Sequence, residues 1–194
     1  MATIGLDKIY YAPITENSSG EETYGMPAVL AKGITAGITV ELAEADLYAA
    51  DGLDESVREF KSGTLSLNVN DIGSTVAAAL TGATVDSKGV LVSTVEDVAP
   101  YVAVGFRAKR SNGKYRYFWL YRVKFGVPAT NLTTKGDSIT FSTPTIEGKI
   151  MRRNKKDNHY NHPWKIEITD GEEGADASTI SAWFGAVPEP AYST

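Results

Sequence analysis

One stretch of the chain constrains the fold more than any other. Two runs in which apolar and polar residues alternate, 101–110 and 115–125, flank the dipeptide Asn112-Gly113. Asn-Gly favours a two-residue turn of the primed type between antiparallel strands. That turn would place Phe106 opposite Trp119 and give the pair of strands one shared apolar face. The sequence therefore predicts a β-hairpin at the centre of the protein.

The second strand of this hairpin carries a stripe of aromatic residues, which allows two interpretations. Exposed, the stripe would be a platform on which sugars stack; buried, it would belong to the core. The buried interpretation is favoured because the predicted partners of the stripe are valines and Phe106, which are residues of protein interiors. The stripe consists of Tyr115, Tyr117, Trp119 and Tyr121.

The opposite face of the hairpin is predicted to be basic. In the same register Lys109 would lie directly opposite Arg116, and like charges in that arrangement destabilise a strand pair. The face is either solvated or meets acidic residues of another subunit, and the sequence leaves both open. The residues concerned are Arg107, Lys109, Arg116, Arg122 and Lys124.

A second, longer hairpin is predicted over residues 34–70, with a turn at Asp51-Gly52. Its alternation slips after Leu42, which indicates either a β-bulge near Ala43 or a strand that leaves its sheet there. Its tip, 49–61, is too polar for a monomer core and is predicted to be an extended loop. The charged tip residues of interest are Asp51, Asp54, Glu55 and Arg58.

The remaining pattern predicts a mainly β chain with one flanking helix. The helix is expected at 71–80, capped by Asp71 or Ser74 and stopped by Gly82. The fold class that follows is a two-sheet β-sandwich in a single domain, 1–194, with a long hairpin arm and a C-terminal tail. The other predicted segments are strands at 8–14, 138–151 and 164–168, a mobile loop at 15–25, a short helix within 175–184 and a loose tail at 187–194.

Composition excludes several classes of function. The chain has no cysteine, and its net charge of −5 is opposite to the basic surface of a nucleic-acid binder. It lacks a signal-peptide pattern at its start and any apolar run of membrane-spanning length. We therefore expect a protein that folds in a cytosol without membrane contact.

No arrangement of residues in the sequence predicts catalysis. The only histidines, His159 and His162, lie in a polar, Pro-flanked segment without further ligands at metal-binding spacing. There is no G-x-S-x-G motif and no phosphate-binding glycine loop. We expect neither an enzyme nor a cofactor nor a metal.

Four segments together resemble the major tail proteins of long-tailed, non-contractile bacteriophages of Gram-positive hosts, which form the tail tube. These segments are DKIYYAPIT (7–15), the long hairpin with its flanks (38–72), the central hairpin (106–125) and SITFSTPTIEGKIMR (138–152). The resemblance covers most of the chain and rests on diffuse patterns. No departure from the family pattern is identified, although the acidic stretch 170–176 and the tail after Phe184 resemble variable parts.

The resemblance implies a β-sandwich whose copies close into hexameric rings, stacked into a tube that carries DNA in the virion tail. It implies manufacture in the host bacterial cytoplasm. The expected partners are the protein itself and the tape measure, terminator and distal tail proteins, and DNA passes without specific binding. The arm loop at 49–61 and a C-terminal arm at 185–194 are expected to join rings. An acidic bore would repel DNA, and the candidate bore-facing acids are Glu41, Glu44, Asp46, Glu59 and Glu147.

Two other functions remain open at this stage. A carbohydrate-binding β-sandwich of an adhesion module would use exposed aromatic residues. A capsid decoration or tail-completion subunit would share the virion location but would not polymerise along one axis.

Overall fold

The computed structural model describes residues 2–18, 20–49, 52–130, 134 and 141–192, with the backbone alone at residues 49 and 53. The protein is mainly β, as the sequence predicts, and its large antiparallel sheet is consistent with a sandwich-like fold. Two helices occur in the described residues, α1 (Ser74–Thr81) and α2 (Ala177–Ala182). The strands are β1 (Thr3–Glu16), β2 (Glu22–Tyr24), β3 (Ala28–Ala49), β4 (Gly52–Val69), β5 (Thr84–Val85), β6 (Leu91–Val92), β7 (Tyr101–Arg110), β8 (Tyr115–Phe125), β9 (Thr145–Met151) and β10 (Lys165–Thr169).

Six strands close into a ring. β1 pairs with β7 and β3, β3 pairs with β4, and β4 pairs with β9. β8 completes the circuit, because one of its edges pairs with β7 and the other is shared between β10 and β9. The two layers of the sheet are thereby joined edge to edge, and wherever neighbouring strands pair, closure removes edges that would otherwise be free to pair with another chain.

The interior of this ring is a continuous apolar core. Burying a side chain of this kind stabilises the fold by about 1.5–3 kcal/mol. Leu80 of α1 is fully buried in the same cluster, so the predicted helix packs against the strands. The fully buried residues of the interior include Ile9, Leu65, Leu67, Val104, Leu120, Val123, Ile146 and Ile150.

The predicted helix ends where expected but begins differently. Gly82 stops α1 in the left-handed conformation, with φ 81°, and its N–H bonds to the carbonyl of Ala78. The N-cap is Gly73, whose residue type has no side chain to cap with, so both predicted caps, Asp71 and Ser74, are wrong.

The predicted register of the central hairpin is wrong by one residue over most of its length. Gly113 has φ 83° and its N–H bonds to the carbonyl of Arg110, whereas Asn112 does not have positive φ. The connection is thus a three-residue turn with glycine in the left-handed position, since either primed two-residue turn would need positive φ at its first residue, Asn112. Phe106 consequently lies opposite Phe118, and Gly105 lies opposite Trp119.

A β-bulge in β8 then restores the predicted register. Tyr121 and Arg122 together face Ala103, so that Val102 lies opposite Val123, as the Asn-Gly turn would have placed it. Because the bulge reverses the alternation, Leu120 and Val123 both point into the interior core.

A second apolar layer covers the outside of the ring. The aromatic stripe lies there, on the face opposite Phe106, and α2 and the segment after it pack over it. The Trp119 indole N–H donates to the carbonyl oxygen of Trp183 at 2.9 Å. Asp176 begins α2 by accepting from the backbone N–H of Thr179 at 2.7 Å. The predicted short helix within 175–184 is confirmed.

The segment 15–25, predicted to be a mobile loop, is instead held by the body of the protein. β2 pairs with the end of β1, with Ile14 opposite Tyr24. Glu22 is fully buried and bonds to Arg122, and it also accepts from the backbone N–H of Asn154 at 2.8 Å. Segment 15–25 therefore contributes Glu22 to a buried ion pair with Arg122, which the alternation of apolar and polar residues does not predict.

The observed register makes a prediction at Gly105. A Cβ atom there would lie 2.6 Å from the Trp119 ring, which is too close for any side chain without a shift of the indole. We expect Gly105→Ala to lower the free energy of unfolding by about 1–3 kcal/mol, measured by urea denaturation. Gly37→Ala in β3 is the matched control, because the nearest atom to its Cβ is 4.0 Å away, and it should be near neutral. Equal stability of the two variants would contradict the register.

Candidate assembly surface

The outer half of the long hairpin stands free of the rest of the structure. We call residues 39–49 of β3 and 52–61 of β4 the arm. Every described side chain from 39 to 48 and from 54 to 59 is exposed, on both faces of the strand pair. β1 pairs with β3 only at Ala28–Lys32, and β9 pairs with β4 only at Gly63–Asn68, so the arm strands pair only with each other in the described structure.

The predicted tip loop is wrong, because strand pairing continues to the end of the arm. Ala49 lies opposite Gly52, and Asp54, Glu55 and Arg58 belong to β4. Asp51 lies outside the described residues. The predicted bulge is confirmed one residue from its expected place: Glu41 lies opposite Ser62 and Leu42 opposite Phe60, which leaves Lys61 as the extra residue.

The arm exposes apolar residues together with its charges. Leu47 and Tyr48, close to the end of the arm, are 56% and 71% exposed. An isolated two-stranded hairpin is at best marginally stable in water, since neither face is covered. The exposed large apolar residues of the arm are Val40, Leu42, Leu47, Tyr48 and Val57.

The arm also carries the net charge of the whole protein. Residues 39–61 contain seven acidic and two basic side chains, a net −5, and the rest of the chain has seventeen of each sign. One ion pair lies within the arm, Arg58 Nε to Glu44 at 3.4 Å, and both side chains are more than half exposed. Sequence reasoning missed this concentration, although a charge count by segment would have found it.

The five candidate bore-facing acids do not share one face. Side chains alternate along a strand, so Glu41 and Glu59 lie on one face of the arm while Glu44 and Asp46 lie on the other. Glu147 of β9 lies opposite Ser66, on the same face as Glu41. Glu41, Glu59 and Glu147 therefore form one set, and the other two acids belong to the face continuous with the interior core.

The face that holds Glu41 and Glu147 is polar over three strands. Ser62 donates to Glu41 at 2.7 Å. This bond and the nearby ammonium of Lys149 hold the pKa of Glu41 below its ordinary value. Over the inner halves of β3 and β4 and along β9, the other residues of this face include Thr35, Gly37, Thr39, Thr64, Ser66, Asn68, Thr145 and Lys149.

The predicted basic face is divided by the observed register. Arg107 lies opposite Tyr117 and Arg116 opposite Ala108, so the two arginines lie on different faces. Lys109 lies opposite Tyr115, and the predicted clash with Arg116 is absent.

Three of these basic residues find acidic partners in the same chain. Arg107 bonds to Asp7 through Nε at 2.7 Å, Arg116 pairs with Glu167, and Arg122 pairs with Glu16 and Glu22. Burial is the largest single influence and acts to raise the pKa of Asp7, but the hydrogen bond and charge of Arg107, together with the backbone N–H and charge of Lys8, outweigh it, and that pKa lies below its ordinary value.

The other two make no ion pair. Lys124 lies over the Tyr101 ring at 5.3 Å, and the exposed Lys109 side chain bonds to no described residue. Whether any of the five contacts another subunit stays a prediction.

The C-terminal segment is held against the body of its own chain. Tyr121 donates to the carbonyl of Pro188 at 2.8 Å, and Arg153, itself fully buried, donates to Glu189 at 2.7 Å. Tyr192 donates to Asp157 at 2.8 Å. Residues 187–192 are therefore docked, against the prediction of a loose tail, and 193–194 lie outside the described residues. A C-terminal arm at 185–194 that joins rings would first have to leave these contacts.

The aromatic stripe is not a surface platform. Trp119 and Tyr121 are fully buried, Tyr117 is 7% exposed and Tyr115 is half-buried, so the buried interpretation is confirmed, although against the C-terminal segment and not against the valines of β7. A sugar could not stack on the three buried rings.

The two histidines serve local contacts. His159 stacks on Tyr192 with ring centroids 3.9 Å apart, and His162 Nδ1 lies 3.0 Å from the carbonyl oxygen of Arg153. Across the described ranges, no group of three or more His, Cys, Asp or Glu residues is placed to hold a metal ion. Neither helix in the described part of the chain is long and apolar enough to cross a membrane.

Comparison with known families and with curated proteins found no match to this chain.

Proposed function

We propose that this protein is a structural subunit that polymerises as stacked hexameric rings into the tail tube of a long-tailed, non-contractile bacteriophage, the conduit through which DNA leaves the virion. The observation that carries the proposal is the arm, a strand pair exposed on both faces that holds apolar side chains and the full net charge. Such a surface gains stability when a neighbour covers it. The resemblance of four segments to tail-tube proteins supplies the kind of assembly.

Self-assembly accounts for the contrast between the arm and the body. The aromatic stripe, the interior core and the C-terminal segment pack against other residues of the same chain. The side chains of the arm are exposed. A strand pair that no described element of its own chain covers is suited to contact identical copies. We infer that the arm reaches from one ring to the next.

The proposal predicts that a shortened arm abolishes tube growth without unfolding the subunit. Replacing residues 43–59 by Asn-Gly joins the cross-strand neighbours Leu42 and Phe60 through a two-residue turn. Negative-stain electron microscopy of this variant at concentrations where the intact protein forms tubes should show none. Circular dichroism should show the β signal and a cooperative thermal transition.

A matched control keeps the arm and reverses its one internal ion pair. Glu44→Arg combined with Arg58→Glu preserves the net charge and should still form tubes. Tubes of normal length from the shortened variant would overturn the proposal.

The polar face of β3, β4 and β9 is the face we propose to line the bore. It presents hydroxyl groups with Glu41, Glu59 and Glu147 beside Lys149, an acidic excess that duplex DNA, with one negative charge per about 1.7 Å, would not adhere to. Glu44 and Asp46 lie on the other face of the arm and would not line this bore.

Reversing charge in the bore should make the tube bind DNA. Tubes of the Glu41→Lys, Glu147→Lys variant should retain short duplex DNA at low salt and release it as salt rises, measured by co-sedimentation. The control variant Glu96→Lys, Glu173→Lys has the same net charge at exposed positions on other segments. Equal retention of DNA by both variants, or by neither, would rule out this face as the bore.

A further inference from the structure

The ring of strands has an open seam at the base of the arm. β1 and β3 pair only where Lys8–Tyr11 meets Ala28–Lys32. Beyond Gly33, which packs against Leu6, the strands separate and leave a groove of about 500 Å³ between residues 3–6 and 34–38.

The groove exposes apolar side chains and two strand edges. Ile4 is 65% and Ile34 48% exposed, although both line the groove. In the described structure, residues 3–6 pair only with β7 and residues 34–38 only with β4, so each strand has one edge facing the groove without a partner. An extended segment placed there would find hydrogen-bonding groups on both sides and an apolar floor that includes Phe106 and Phe118.

Charge around the groove favours an acidic occupant. Lys8 lies opposite Lys32 where the pairing of β1 with β3 ends, and neither exposed side chain makes an ion pair within the described residues. The end of the central hairpin also borders the groove, with Lys109 opposite Gly5, whereas Arg110, opposite Thr3, is paired with Glu172 at 3.4 Å. Lys109 makes no ion pair within the described residues and, because it lies opposite Tyr115, its side chain is on the outer side of the groove. The acidic arm, with Leu47 and Tyr48 exposed near its end, has the complementary charge and the apolar residues that such a groove would cover.

The arm does not reach the groove of its own chain. It continues directly from the groove wall, because residues 34–38 and 39–49 are one unbroken strand. Eleven residues of strand extend about 37 Å, so the apolar end of the arm stands far from its own base. An arm that occupies the groove must therefore belong to another copy of the chain.

We propose that the seam between β1 and β3 is the acceptor site for the end of the arm of a second copy. The inference rests on the proposed function, and it names the surface to which the arm binds. A contact between the end of one copy and the base of the next is heterologous, and when repeated along one direction it produces an open-ended stack of copies.

The absence of cysteine from the chain allows a direct test by disulfide trapping. One variant carries Tyr48→Cys at the arm, and the other, labelled with ¹⁵N, carries Ile34→Cys in the groove; both positions are exposed, so both variants should fold. A disulfide forms when the two Cα atoms come within about 7 Å. The variants are mixed, assembled and oxidised, and mass spectrometry identifies the peptide that joins labelled to unlabelled chains.

The expected result is a heterodimeric product for Tyr48→Cys with Ile34→Cys at least tenfold above that for Tyr48→Cys with Val95→Cys. Val95 is 99% exposed on a different segment and controls for random collision. The pair Leu47→Cys with Ile4→Cys is an independent second trial of the same contact.

The outcomes separate the two proposals. If tubes form but neither cysteine pair cross-links, Tyr48→Cys with Ile34→Cys or Leu47→Cys with Ile4→Cys, the groove is not the acceptor site, and the proposed tube function is unaffected. The product in short oligomers without any tube would support the groove and count against the tube. Neither tubes nor product from folded variants would overturn both.

Discussion

The arm depends on a constraint that applies to any pair of β-strands in water: backbone pairing alone barely stabilises it, and one face must be covered by something apolar. β3 and β4 meet this requirement over their inner halves, where Leu65, Leu67 and Val69 are fully buried in the ring. Over their outer halves they do not. The same two strands are thus a wall of the core at one end and an uncovered ribbon at the other, and the proposed assembly follows from that difference.

The body of the protein is closed by comparison. β8 contacts β7, β9 and β10, and both of its faces are covered, one by the interior core and the other by Trp183 and the C-terminal segment. Arginines that a sequence pattern would assign to a partner are neutralised locally by Asp7, Glu167 and Glu22. Within the described residues, the outer half of the long hairpin and the seam at its base lack this cover.

The sequence predicts the elements well and their relative register poorly. Alternation locates the two hairpins, and the alanine run with Gly82 locates α1, because these signals are local. The register of the central hairpin depends on which residue at 111–113 takes positive φ, and the assumed Asn-Gly turn shifts each partner by one. The bulge at Tyr121 and Arg122 then exchanges the inward and outward faces of β8, and no residue in the sequence there indicates a bulge.

Long-range contacts explain the other errors. Glu22 is fully buried and pairs with Arg122, which lies one hundred residues away in the sequence. The C-terminal segment is held by hydrogen bonds from Tyr121 and Arg153. Neither contact leaves a periodic trace in the sequence. The division of the acids Glu41, Glu44, Asp46, Glu59 and Glu147 between two faces becomes visible only once cross-strand partners are known.

Hydrogen exchange tests the central claim most directly, because it measures whether the arm is completed by other copies. Amide protons of residues 42–48 and 54–60 are compared with those of 65–69 in the core, in dilute protein and after assembly. The account predicts that arm amides in dilute protein exchange orders of magnitude faster than core amides, and that assembly slows them toward core rates. Arm amides already as protected as the core in the dilute monomer, or unchanged in the assembled protein, would contradict it.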